Sequence, residues 1–244
     1  MNMFANVTSD GLEDAVDRLG GGGVLETGGY PATVKLAYAG KSNSSNAQSV
    51  VVHLDIGGME VRESLWVMNK NGQNFYQDKN DATKRQPLPG FTTADDLCLL
   101  ITGQPLSSTN IEEKIVSLYD FEARKDLPQN VPVLIDLIGK QVTVGLVKQN
   151  VDKTAKQPDG SYAPTGETRD ENTIDKFYHD PSLRTVSEVK AGIEEAAFYQ
   201  KWVAKNEGKT RMRAKGAEGN TGAPGRPAAA PGAAPAPAKS LFAV

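Results

Sequence analysis

From Tyr30 the chain alternates in hydrophobicity. Val34, Leu36 and Tyr38 fall on one face of a predicted strand, with Lys35 and Ala37 on the other. After a Ser/Asn loop, residues 49–56 form a Val-rich run without alternation, which predicts a strand buried on both sides. Gly57-Gly58 turns this run back into residues 60–67, so three consecutive antiparallel strands are expected.

A polar excursion follows over residues 68–89, with a turn signal at Asn71-Gly72. The spacing then predicts a short helix over 93–102. Thr92 or Thr93 would cap it, Asp95 and Asp96 suit its positive end, and Gly103 would close it. Leu97, Leu100 and Ile101 form its apolar stripe. Next come a strand near 114–122, a Pro-bounded apolar segment at 133–138 and a strand over 141–151. Asp159-Gly160 marks a hairpin whose return limb runs through 173–178. The last ordered element is expected to be one helix over 186–206. Thr185 and Glu188 form its capping box, and Val189, Ile193, Ala196, Gln200 and Val203 line one side.

Three strands, a helix and further strands is the order of an OB-fold. The expected class is therefore mainly β, an OB-fold-like Greek-key barrel with one short internal helix and a C-terminal helix. Alternating βαβ units are absent, which argues against a doubly wound sheet. Residues 1–28 read as a flexible lead, with Leu12, Val16 and Leu19 on a short amphipathic helix that Gly20 to Gly23 would stop. Residues 29–206 form the expected domain, and residues 207–244 a disordered tail. Nineteen of the twenty-four residues from 216 to 239 are Gly, Ala or Pro, a composition with no apolar face to bury.

Composition narrows the chemistry. The chain of 244 residues has a net charge of −3, but its charge is polarised: residues 1–28 hold five acids and one base, while 201–226 hold seven bases and two acids. No apolar run reaches membrane-spanning length, the N-terminus lacks a signal-peptide pattern, and the single Cys98 reads as a buried thiol, so a cytoplasmic protein is expected. His53 and His179 have no second ligand at metal spacing, so neither a metal nor a cofactor is expected. Gly40-Lys41-Ser42 lacks the glycine five residues earlier and the following helix of a phosphate-binding loop. Nothing in the sequence argues positively for an enzyme.

The stronger constellation joins rings to cations. Trp66 ends the third strand, and Lys70, Phe75, Tyr76, Lys79, Lys84 and Arg85 follow within the polar excursion. Lys148, Lys153, Lys156 and Tyr162 line the next hairpin, and Lys176 and Tyr178 lie on its return limb. Single-stranded nucleic acid needs flat surfaces for unpaired bases and cations along its phosphates. Lys209, Arg211, Arg213 and Lys215, at the root of the tail, would add to that affinity, and Leu241, Phe242 and Val244 at its tip offer a partner an apolar hook. Trp66 and Phe177 would equally well fill the barrel. Phe198, Tyr199 and Trp202 read as packing against the barrel or a second subunit.

The stretches Asn69-Lys70-Asn71-Gly72-Gln73-Asn74-Phe75-Tyr76, Leu88-Pro89-Gly90-Phe91, Leu137-Ile138-Gly139-Lys140 and Lys148-Gln149-Asn150-Val151-Asp152-Lys153 resemble single-stranded DNA-binding proteins of tailed bacteriophages, over about residues 25–206. The resemblance implies an OB-like fold, binding of single-stranded DNA in replication or recombination, and action in the cytoplasm of an infected host cell. Related phages use such proteins as transcription cofactors, so a phage RNA polymerase or a replisome protein is an implied partner. Many single-strand binders end in an acidic tail with an apolar tip that competes with DNA and recruits partners. Here no acidic run precedes the tip, so the resemblance does not extend to tail-mediated autoinhibition.

Overall fold

The computed structural model describes residues 23–42, 44–81, 83–120, 123–158 and 160–215. The residues fall in two compact units, the first within 1–150 and 170–213, the second within 151–169 and 214–244. The predicted helix around Leu12, Asp159 of the predicted turn, and the tail from 216 with its tip at Leu241, Phe242 and Val244 lie outside the described residues.

In the first unit β1 (Gly28–Lys41) organises the sheet. It pairs antiparallel with β2 (Gln48–Ile56), with β8 (Gln141–Lys156) through Gly28–Thr33, and with β7 (Lys125–Leu134) at Tyr38. Its register against β2 slips between Val34 and Leu36, which makes Lys35 an extra residue. A bulge sends the following side chains to the opposite face. Val34 and Ala37 thus share the main core with Val52, Leu54, Leu97 and Phe177, while Leu36 and Tyr38 pack with Val51, Leu118 and Val133. The single face expected for Val34, Leu36 and Tyr38 is divided by that one residue. β2 is buried on both sides, as its Val-rich run predicts.

β3 (Met59–Met68) returns along β2. β6 (Ile111–Asp120) and β7 form a long antiparallel hairpin, so the apolar segment at 133–138 ends a strand and then turns through Ile135–Leu137. β9 (Tyr162–Tyr178) pairs with β8. The fold is mainly β, with a largely antiparallel sheet and few helices, and the helix between the third strand and the later ones stands where expected. The barrel does not close by a strand ladder: no pairing joins β3 to β9 among the described residues. A side chain spans that gap instead. The Glu63 carboxylate accepts from the Ile174 N–H and, at 2.9 Å, from the Thr173 hydroxyl.

α1 (Pro89–Thr102) begins four residues earlier than expected, because Pro89 at its first position needs no hydrogen-bond acceptor. Asp95 and Asp96 are therefore not first-turn acids. Asp95 accepts from the Leu106 N–H at 2.8 Å, and Asp96 pairs with Lys176 at 3.0 Å. Gly103 closes the helix at φ +73°, as predicted.

The single helix expected over 186–206 is two. α2 (Val186–Lys190) starts with the predicted Thr185–Glu188 capping box and stops before Gly192, whose φ is +67°. α3 (Ala197–Asn206) follows. Glu188 serves both: it accepts from the Thr185 N–H and hydroxyl at 2.8 and 3.0 Å, and from the Phe198 N–H at 2.8 Å. The break leaves Val189 and Ile193 exposed, not on a common buried stripe.

The segment after α3 also differs from expectation. Gly208, at φ +67°, reverses the chain, and buried Thr27 receives it: Gly208 N–H donates to the Thr27 carbonyl, and the Thr27 hydroxyl donates to the Lys209 carbonyl. Thr210–Met212 then form β10, parallel to β8, with Arg211 opposite Gln149. The basic root assigned to the tail is thus partly a strand.

The second unit is the outer hairpin of β8 and β9. Gln157 N–H donates to the Ser161 carbonyl at 2.7 Å, and Gly160 takes φ +83° at the turn. The Thr165 hydroxyl donates to the Lys153 carbonyl at 3.2 Å, and Lys215 N–H donates to the Asp152 carboxylate at 2.8 Å.

Candidate nucleic-acid interface

Alternation along β3 decides what each side chain does. Val61, Leu65 and Val67 are buried, which puts Trp66 on the opposite face, 45% exposed. The start of α1 fixes that strand end, since Gly90 lies directly on the Trp66 backbone. Beside it opens a cleft of about 450 Å³ in the first unit, lined by Trp66, Leu88, Gln149, Thr173, Arg211 and Arg213 among others. The cleft follows from the gap between β3 and β9, where Glu63 replaces a ladder.

Arg211 holds Asp175 at 3.3 Å, and the same Asp175 accepts from the Trp202 indole N–H at 2.8 Å. Arg213 anchors by its N–H to the Asn150 carbonyl at 2.9 Å and keeps its side chain exposed. Burial pushes the Glu63 carboxyl above the ordinary carboxylate value, and the carboxylates of Glu171 and Asp175 add to this against its two hydrogen bonds. The fold thus holds this proton more tightly than the unfolded chain does. Its contribution to stability is full below the unfolded value of 4.5, declines as pH rises from there through the raised folded value, and is level above it. Glu63→Gln should flatten that decline in denaturant titrations across the window, because its amide still meets Ile174 N–H and Thr173. A variant with the original slope would assign the decline to another group.

The polar excursion forms a separate two-stranded sheet, β4 (Phe75–Gln77) with β5 (Arg85–Pro87). Its base meets the cleft at Leu88, whose N–H donates to the Asn74 carbonyl at 2.8 Å. Arg85 stacks its guanidinium 4.5 Å from the centre of the Phe75 ring, so one face of that half-buried ring is already taken. Tyr76 is 49% exposed. Lys70, Lys79 and Lys84 are exposed, Lys84 with Asp81 at 3.3 Å.

One expected contact does not hold, and two others are engaged by protein partners. Tyr178 is fully buried against Tyr199 and Trp202, so it cannot stack on a base, and burial drives its hydroxyl pKa far up. Lys148 is committed to Glu26 at 2.7 Å and Asp170 at 3.6 Å, and the Glu26 hydrogen bond raises its pKa. Lys176 is held by Asp96 and lies 5.7 Å from the Phe198 ring centre. All three sit where β8 and β9 enter the packed unit, and there side chains meet protein partners. Phe177 fills the core, which settles its role as packing. Lys209 is exposed and its ammonium donates to the Lys205 carbonyl.

In the second unit Tyr162 is 68% exposed, and Lys156 and Lys215 are exposed as well. Lys153 pairs with Glu167 at 2.9 Å.

The sequence reading missed Glu63, Gln149 and Asp175. Gln149 carried a signal, a polar residue in step with Gly145 and Val147 on one face of β8. Among the described residues no group of His, Cys, Asp and Glu could hold a metal ion, and no helix is long and apolar enough to cross a membrane. Comparison with known proteins finds no family model and no curated protein that matches the chain.

Proposed function

We propose that the chain is a sequence-tolerant single-stranded DNA-binding protein of a tailed bacteriophage, acting without catalysis in replication or recombination in the infected cell's cytoplasm. The observation that carries this reading is the exposed Trp66 beside a cleft that also presents Arg211 and Arg213. An exposed indole gives any base a stacking partner, and the guanidinium groups suit phosphates. The β4–β5 hairpin extends the same pairing with Tyr76, Lys79 and Arg85. In the second unit, Tyr162, Lys156 and Lys215 supply the same two kinds of group.

Titration with a thymidine oligonucleotide tests it. Trp66 emission should be quenched, and log affinity should fall against log salt with a slope of about −0.7 per neutralised phosphate. Trp66→Ala should weaken binding by about 1–3 kcal/mol while leaving thermal unfolding unchanged. Undiminished affinity would remove Trp66 from the interface, and salt-independent binding would remove the phosphates.

A second reading makes DNA binding the first half of a recruiting device for a phage RNA polymerase. The feature favouring it is the apolar ending Leu241-Phe242-Ala243-Val244 after a run of Gly, Ala and Pro. Strand protection alone needs no polymerase contact.

A further inference from the structure

Gln149 sits in the wall of the cleft and is only 8% exposed. Its Nε2 donates to the Glu171 carboxylate at 3.0 Å. A carboxylate only accepts, so the amide cannot be reversed, and Oε1 must face away from Glu171. That Oε1 is buried and has no hydrogen-bond partner among the described residues. A sealed acceptor without a donor is costly and rare in a native fold. Unsatisfied groups of this kind, in a cleft of small-ligand size, point to a donor supplied from outside.

We propose that the cleft receives one unpaired nucleobase, whose pairing-edge N–H donates to Gln149 Oε1 while its ring lies against Trp66. The inference rests on the single-strand reading above and adds a mechanism of selection to it. Every base carries an N–H donor on its pairing edge: N6 of adenine, N4 of cytosine, N1 and N2 of guanine, N3 of thymine. In a duplex those donors are spent on the opposite strand. An acceptor that asks only for such a donor therefore accepts any unpaired base and rejects paired ones, without reading sequence. Arg211 stands beside Gln149 across the parallel β8–β10 pair, on the same strand face. A phosphate arriving with the base competes with Asp175 for that guanidinium.

The full chain is titrated with a thymidine oligonucleotide and with the same oligonucleotide methylated at N3 of each base. The methyl group removes the donor and keeps the ring. The wild type should bind the methylated strand about tenfold more weakly. Gln149→Ala should bind both strands alike, and the volume-matched Gln149→Met should do the same should the alanine variant fail to fold. Equal wild-type affinity for the two strands overturns the pairing-edge contact, as does a loss of the same size in wild type and variants. A wild type that binds neither strand overturns the single-strand reading itself, a different result.

Discussion

Trp202→Ala is expected to cost the fold about 3–5 kcal/mol, the range for a large aromatic side chain removed from a packed site. In a domain of this size that corresponds to a fall in melting temperature on the order of 10 °C. The indole is 6% exposed and packs edge-on to Tyr178, with ring centres 6.2 Å apart. It also packs closely on Gly145, where a Cβ would stand 3.1 Å from the Trp202 ring. No neighbouring backbone can collapse into the space without moving α3 off β8. The loss is polar as well, because Asp175 gives up the indole N–H while Arg211 still holds it. Trp202→Phe should recover much of the packing but not that hydrogen bond. A Trp202→Ala protein that melts like the wild type would mean α3 is not seated on the sheet in this way.

Burial of this kind separates the two tryptophans by role, and the separation bears on how far the sequence could be read. The third strand alternates cleanly, so the outward position of Trp66 is legible in Val61, Leu65 and Val67. The Val-rich second strand and the Thr185–Glu188 capping box are equally plain, because each depends on neighbours in sequence. Lys35 is different. Its bulge is set by pairing with β2, a partner many residues away, and one inserted residue sends Leu36 and Tyr38 to the other side. The break at Gly192 is of the same kind, since Glu188 reaches across it to cap α3, and that choice is tertiary.

The candidate site was legible as a composition of rings and cations and not as a geometry. Tyr178 and Lys176 sit among exposed-looking neighbours in the sequence, yet Tyr178 packs under α3 and Lys176 meets Asp96 on α1. Glu63 falls in step with Val61, Leu65 and Val67, so its inward position was legible, but its two donors come from β9, a strand far away in sequence. The cleft is the space left where no ladder joins β3 to β9 among the described residues.

Gly90→Ala tests whether the cleft and the fold are one structure. A Cβ at this position would stand 2.5 Å from the Trp66 nitrogen, 2.6 Å from its carbonyl oxygen and 3.0 Å from the Leu65 carbonyl carbon. These are backbone atoms of β3, which is paired along its length with β2, so no rotamer change relieves the overlap. Either α1 lifts from β3, or the end of β3 bends away. Ala94, Leu97 and Cys98 anchor the same helix in the core and resist the first course. The expected destabilisation is therefore in the upper part of the 1–3 kcal/mol typical of overpacking. The second course moves Trp66, so affinity for a thymidine oligonucleotide should fall even at temperatures where the variant is fully folded. Trp66→Ala should then remove little further affinity in the Gly90→Ala background, because both changes act on one ring, and non-additivity is the mark of a shared contact. Stability loss with full wild-type binding would place the strand on another surface. Additive losses would show that Gly90 acts on binding through some group other than Trp66.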